Sequence, residues 1–134
     1  MPTTTSNDAT NPIAILLIED SRVQAQKLQA VLEADGYHVH WAETGQAGIE
    51  AGRTQSFDLI VLDVELPDMN GFQVCRTFKS DPTLRAVPII MLTGRDRAQD
   101  ARIGFEYGAV DYIPKDIFAD TVLVETIKQL TSRR

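Results

Sequence analysis

Several features of other protein classes are missing from this chain of 134 residues. Its single cysteine, Cys75, excludes an internal disulfide, which agrees with a reducing cytoplasm. No apolar run approaches the roughly 20 residues that span a bilayer, and residues 1–12 lack the basic start and apolar middle of a signal peptide. We therefore expect a cytoplasmic protein with no membrane contact. Residues 1–12 are predicted to form a disordered tail, and residues 13–134 one domain.

Basic residues are also scarce. The chain has 13 Lys and Arg residues and 19 Asp and Glu residues, which gives a net charge of −6. Nucleic acid binding needs a basic face, so we expect no nucleic acid partner; a divalent cation or a basic protein surface suits the chain better. Neither G-x-G-x-x-G nor G-x-x-x-x-G-K-[ST] occurs. A nucleotide or flavin binder therefore stays a weak alternative.

The chain does contain five short apolar segments that alternate with amphipathic ones. We predict helices over residues 21–34, 44–53, 72–79, 96–107 and 120–130, and strands over residues 13–18, 38–41, 59–63, 89–92 and 111–114. Glycines at positions 45, 48 and 52 predict that the second helix is weak. The alternation predicts an α/β fold, namely a flavodoxin-like, doubly wound sheet of five parallel strands in the order 2-1-3-4-5, with helices on both faces.

Polar residues lie at the ends of four predicted strands: Glu19 and Asp20, then Asp63, Thr93 and Lys115. Because the carboxyl ends of parallel strands share one edge, we expect one pocket there. Crowded carboxylates repel one another, so the acids call for a divalent cation, and Mg²⁺ fits best. The lysine and the hydroxyl suit the oxygens of a phosphoryl group. The central Asp63 is then the candidate nucleophile.

Each of these residues also has an ordinary role open to it. Glu19 and Asp20 stand before a helix, where acids stabilise the helix start. Thr93 is a common strand residue, Lys115 suits a solvated surface, and a lone carboxylate such as Asp63 often ends a strand. Taken together, the ordinary roles would require four strand ends to carry matching chemistry by chance.

The joint pattern resembles the receiver domain of two-component response regulators, the family of the single-domain chemotaxis regulator. It covers about residues 13–130 and comprises Glu19-Asp20, LDVELPDMNG around Asp63, MLTG around Thr93, and DYIPK ending at Lys115. The resemblance implies that residues 13–134 form a receiver domain.

The same resemblance implies a phosphoacceptor site. A sensor histidine kinase or a histidine phosphotransfer protein would donate a phosphoryl group to Asp63. Mg²⁺, with Mn²⁺ as a substitute, would be held by Asp20, Asp63 and the backbone carbonyl of Glu65, with Glu19 acting through water.

Switching roles follow from the resemblance as well. Thr93 would move toward the phosphate while Tyr112 turns inward, although Tyr112 also suits a plain core position. A downstream protein would bind the face formed by the fourth helix, the fifth strand and the fifth helix, and a homodimer through that face is a second candidate. We further predict that Glu65 and Arg95 pair across the mouth of the site and set the lifetime of the phosphoryl group.

Two departures from the family pattern stand out. Glu19 replaces an aspartate, and Asp116 follows Lys115 where the family usually has a proline joined by a cis bond. A cis bond before a residue other than proline costs about 2.5–4 kcal/mol. This favours a trans bond and a differently shaped loop over residues 115–118, although the sequence leaves the isomer open.

Only residues 131–134 follow the last predicted helix, so we expect output through binding rather than through an effector module. We also expect no enzyme activity beyond self-phosphorylation and autodephosphorylation. The main alternative is a small-molecule phosphatase or phosphotransferase that uses Asp63 in the same way. Such enzymes usually place a second aspartate two residues after the nucleophile, where this chain has Glu65.

Overall fold

The computed structural model describes residues 12–94, 98–116 and 118–132. Strands and helices alternate through them. The elements are β1 (Ala14–Ile18), α1 (Arg22–Ala34), β2 (His38–Ala42), α2 (Gly45–Thr54), β3 (Leu59–Asp63), α3 (Gly71–Ser80), β4 (Ile89–Thr93), α4 (Ala98–Glu106), β5 (Asp111–Pro114) and α5 (Ala119–Thr131). The strands are parallel and lie in the order β2-β1-β3-β4-β5. The predicted flavodoxin-like fold is confirmed. The predicted bounds that fall on described residues differ from the observed ones by no more than one residue, and the predicted start of the fourth helix, at residue 96, lies outside the described residues.

The sheet is buried on both faces, which explains the unbroken apolar runs of its strands. Ile15 and Leu17 of β1 face a core shared with α1 and α5. Leu16 and Ile18, one residue out of step, face the core under α2, α3 and α4. This alternation is the two-residue period of a strand. The central strand β3 is buried along its whole length, so its last residue, Asp63, is carried into the interior.

Helix α2 forms over its full predicted length despite its glycines. Thr44 caps it, because its Oγ1 accepts a hydrogen bond from the Ala47 amide at 3.0 Å. The glycines lie against the sheet and α3: a Cβ at Gly48 would overlap the side chain of Ile18, and one at Gly52 would lie 2.6 Å from Phe78 Cε1. They therefore let the helix approach its neighbours closely, a packing role that helix propensity alone does not indicate.

Three further observations bear on the predictions. No cis peptide bond occurs among the described residues, so the Lys115–Asp116 bond is trans, the isomer that the sequence favoured. None of the described helices has the length and apolar character needed to cross a bilayer. The predicted tail falls almost entirely on residues 1–11, which lie outside the described part of the chain.

Candidate functional site

Asp63 lies at the carboxyl end of the central strand with only 4% of its surface exposed. Its Oδ1 accepts a hydrogen bond from the Glu65 amide at 3.0 Å. The backbone around it is fixed on two sides, since the Val64 amide donates to the Leu92 carbonyl at 3.0 Å and the Gly71 amide donates to the Val64 carbonyl at 2.8 Å. The carboxylate is thus held at the start of a tight loop.

Glu19 is more deeply buried, at 1% exposure, directly after β1. Its Oε2 accepts from the Ser21 amide at 3.0 Å, and its backbone carbonyl accepts from Trp41 Nε1 at 2.6 Å. Burial raises the pKa of the Glu19 carboxyl above its ordinary value, an effect that the hydrogen bond from Lys115 partly opposes. Asp20, the next residue, is exposed. The acidic pair therefore places one carboxylate in the interior and one at the surface.

Lys115 follows β5 and reaches back into this group. Its Nζ lies 2.8 Å from Glu19 Oε1, 2.9 Å from Asp63 Oδ2 and 2.7 Å from Gln24 Oε1. Burial acts to lower the pKa of Lys115, but the hydrogen bonds and charges of Glu19 and Asp63 outweigh it and raise the pKa. The ammonium thus neutralises part of the charge that the two buried carboxylates bring together. We call Glu19, Asp20, Asp63 and Lys115 the acidic pocket.

The acidic pocket has a donor set that fits a magnesium ion. Glu19, Asp20 and Asp63 each offer a carboxylate oxygen, and these three atoms all lie within 4.8 Å of one another. Mg²⁺ prefers oxygen ligands, binds through one or two carboxylates and keeps several waters. The exposure of Asp20 leaves such waters an approach from solvent.

The other predicted site residues lie around this pocket. Thr93 ends β4 at the same edge, fully buried, and its carbonyl accepts from the Lys115 amide at 2.6 Å. Tyr112 pairs with Met91 across the sheet and is partly buried against the core under α2, α3 and α4. Glu65 is exposed, and its Oε1 would lie 3.7 Å from a Cβ built on Gly94.

The structure therefore brings Glu19, Asp20, Asp63 and Lys115 into direct proximity. Thr93 shares their edge of the sheet, whereas Tyr112 lies along β5, three residues before Lys115. Arg95 lies outside the described residues, so its pairing with Glu65 stays a prediction.

Two polar contacts at this edge were not predicted from the sequence. Gln24 supplies the third acceptor for Lys115. Asp68, in the loop after Asp63, accepts from the Gly45 and Gln46 amides at 2.9 Å each and so caps α2 from a distance. These hydrogen bonds, the one from Gln46 first, hold the pKa of Asp68 below its ordinary value. Both contacts join residues far apart in the chain, so no local pattern indicates them.

The fold and this pocket together define a receiver domain of the response-regulator type. The family profile described as "Response regulator receiver domain" matches residues 15–128, and the chain belongs to that family. Among solved structures, it resembles the signal receiver domain of a signal transduction histidine kinase from Syntrophus aciditrophicus, with 37% identity, a TM-score of 0.81 and 89% of each chain covered. It also resembles the chemotaxis protein CheY4 of Vibrio cholerae, with 26% identity, a TM-score of 0.83, and 90% of this chain and 99% of that one covered.

Curated relatives give the same family. Protein PilH of Pseudomonas aeruginosa is 36% identical over 109 residues, which cover 81% of this chain and 90% of PilH. The response regulator PleD of Caulobacter vibrioides is 37% identical over 117 residues, which cover 87% of this chain. The match spans only 26% of PleD, so this chain corresponds to nearly all of one relative and to about a quarter of another.

Proposed function

We propose that the protein is a cytoplasmic response regulator that accepts a phosphoryl group on Asp63 from a sensor histidine kinase or a histidine phosphotransfer protein. The observation that supports this most is the contact of the buried Asp63 carboxylate with Lys115 beside two further carboxylates. An Asp63 oxygen attacks the phosphorus of a phosphohistidine, the P–N bond breaks, and its electron pair stays on the imidazole nitrogen. Water later attacks the acyl phosphate, which releases inorganic phosphate and restores the carboxylate.

The negative charge at the site explains why phosphorylation of Asp63 requires positively charged groups beside it. The incoming phosphoryl group is anionic, and the acidic pocket is already rich in negative charge. Asp20, Asp63 and the backbone carbonyl of Glu65 would hold Mg²⁺ or Mn²⁺, with Glu19 acting through water, and the bound cation offsets this negative charge. Lys115 contributes a second positive charge and keeps an N–H directed at Asp63.

The output surface in this proposal lies beside the pocket. Thr93 moves toward the phosphoryl oxygens, Tyr112 turns inward, and the face of α4, β5 and α5 changes shape. This face carries an open cavity of about 420 Å³, lined in part by Tyr112, Phe118 and Val122. Phe118 is 63% exposed and Val122 44% exposed, which suits contact with a downstream protein or with a second copy of the chain.

The lifetime of the phosphoryl group forms a separate part of the proposal. Glu65 Oε1 would lie 3.7 Å from a Cβ built on Gly94, and Arg95 is the next residue in the sequence. A Glu65–Arg95 pair would shield the acyl phosphate from water. The autodephosphorylation rate of a Glu65→Ala, Arg95→Ala double variant should rise; an unchanged rate would contradict this part alone.

Incubation with acetyl phosphate and Mg²⁺, followed by intact mass measurement, tests the main proposal. We expect a gain of one phosphoryl group in the wild-type protein, none in Asp63→Asn, and none when a chelator removes the cation. Equal labelling of wild type and Asp63→Asn would refute the proposal. We expect no enzymatic turnover of a separate substrate, so sustained hydrolysis of p-nitrophenyl phosphate would favour the phosphatase alternative.

A further inference from the structure

Gln24 completes the hydrogen bonding of the lysine in the acidic pocket. It is the third residue of α1, yet its side-chain oxygen lies 2.7 Å from Lys115 Nζ, 91 positions further along the chain. Glu19 and Asp63 accept the other two hydrogen bonds, at 2.8 Å and 2.9 Å. An ammonium group has three N–H donors. The three acceptors therefore use its full donor capacity.

The placement of these acceptors controls where the third N–H points. An ammonium held by one acceptor turns about its C–N bond, whereas one held by two fixed acceptors keeps its third N–H in one direction. Glu19 is fixed, because it is buried and its second oxygen accepts from the Ser21 amide. Gln24 lies in the first turn of α1, where Ser21 Oγ caps its amide at 3.3 Å. The remaining N–H of Lys115 points at Asp63.

We propose that Gln24 is a positioning residue for phosphorylation: with Glu19, it orients Lys115 so that one N–H is directed at Asp63 and at the phosphoryl oxygen that Asp63 would carry. This inference rests on the proposed function. A neutral amide is the suitable acceptor here. A carboxylate would add negative charge where an anionic phosphodonor approaches, and an apolar side chain would leave the N–H to mobile water. The alternative is that Gln24 is an ordinary surface residue whose contact has no effect.

Gln24→Met tests the proposal by removing the acceptor while keeping the length of the side chain. Labelling by acetyl phosphate with Mg²⁺ should slow by about three- to ten-fold, the net contribution expected of one ordinary hydrogen bond, because Gln24 is exposed and water can partly replace it. Gln26→Met is the matched control, because it makes the same change at an exposed position two residues along the same helix. It should be labelled at the wild-type rate.

A spectroscopic readout separates positioning from a general effect on α1. The chain has four lysines, so ¹H–¹⁵N correlation spectra of their ammonium groups are simple, and Lys115→Arg identifies the Lys115 signal. In the wild type this signal should show slow exchange with water. Gln24→Met should broaden or abolish it, whereas Gln24→Glu, which keeps an acceptor oxygen, should preserve it.

The two levels of the proposal fail in different ways. A wild-type labelling rate together with an unchanged Lys115 signal in Gln24→Met would overturn the role of Gln24, while labelling of Asp63 would stand. Equal slowing in Gln26→Met would also overturn it, since the effect would then belong to the helix. Absence of wild-type labelling, or labelling of Asp63→Asn, would refute the phosphoacceptor function itself.

Discussion

The interior of the sheet and its carboxyl edge obey different physical rules, although the same strands build both. Along β1 and β3, consecutive apolar residues are buried by helices on the two faces, and each contributes to stability through the hydrophobic effect. Glu19, one residue beyond β1, and Asp63, the last residue of β3, are also buried, but their side chains are charged. Their burial is tolerated because Lys115 and backbone amides hydrogen-bond to them.

This difference teaches where stability and chemistry lie in the molecule. Changes in the interior should alter stability whatever the solution contains. Changes at the edge should depend on cations and pH, because the edge keeps charges that a cation can compensate. A stable interior allows the acidic pocket to retain groups that, left alone, would weaken the fold.

The largest effect on stability is expected from Lys115→Met. It leaves Glu19 and Asp63 without their ammonium partner, and breaking such a pair costs about 3 kcal/mol of unfolding free energy. Mg²⁺ should restore much of this loss, because it replaces the missing positive charge. Chemical denaturation with chelator and with Mg²⁺ measures both values.

Lys128→Met is the control. It removes an ion pair with Asp35 that is largely exposed and 3.7 Å long, so it should change stability little. If Lys115→Met lost the same unfolding free energy with chelator and with Mg²⁺, the contrast between edge and interior would be contradicted.

Gly48→Val should have the next largest effect, this time in the interior. The added side chain would overlap Ile18, which is fully buried, and overpacking of this kind costs about 1–3 kcal/mol. The loss should be the same with chelator and with Mg²⁺ in the same denaturation experiment. Ala47→Val adds bulk at an exposed neighbouring position and serves as the control. Equal losses in the two variants would mean that close packing of α2 is not the cause.

The smallest effect is expected from Asp68→Asn, which weakens the cap on α2. Because Asp68 is exposed, the loss at neutral pH should be about 0.5–1 kcal/mol, the range of a helix cap. The folded pKa of Asp68 lies below its ordinary value of 3.8, so its contribution is present above about pH 3.8 and is lost as the pH falls through the folded pKa. The difference between variant and wild type should therefore shrink in acid. Glu50→Gln, in the middle of the same helix, should show no such pH dependence; a difference for Asp68→Asn that grows in acid would contradict this sign.

The fold could be predicted from the sequence because two simple patterns indicate it. Unbroken apolar runs indicated buried parallel strands, and polar residues after them indicated the edge at which Asp20, Asp63 and Lys115 meet. Such patterns are local, and the parallel topology converts them into a shared site.

Contacts that depend on tertiary geometry were not predictable in the same way. Gln24 meets Lys115, and Asp68 meets the start of α2, across 91 and 23 positions respectively. Gly48 suggested a weak helix, yet it lies where α2 packs closely on β1. In each case the partner is set by how elements pack against one another, which helix and strand propensities do not contain.

Chemical mapping of the phosphorylated residue tests the role of Asp63 most directly. After labelling with acetyl phosphate and Mg²⁺, borohydride reduces an aspartyl phosphate to homoserine, which peptide mass spectrometry then locates. We predict homoserine at position 63 and unmodified Glu19, Asp20 and Glu65. Two results would contradict the assignment. One is homoserine at another position while position 63 is unmodified. The other is the absence of any reduced residue in a protein that has gained the mass of a phosphoryl group.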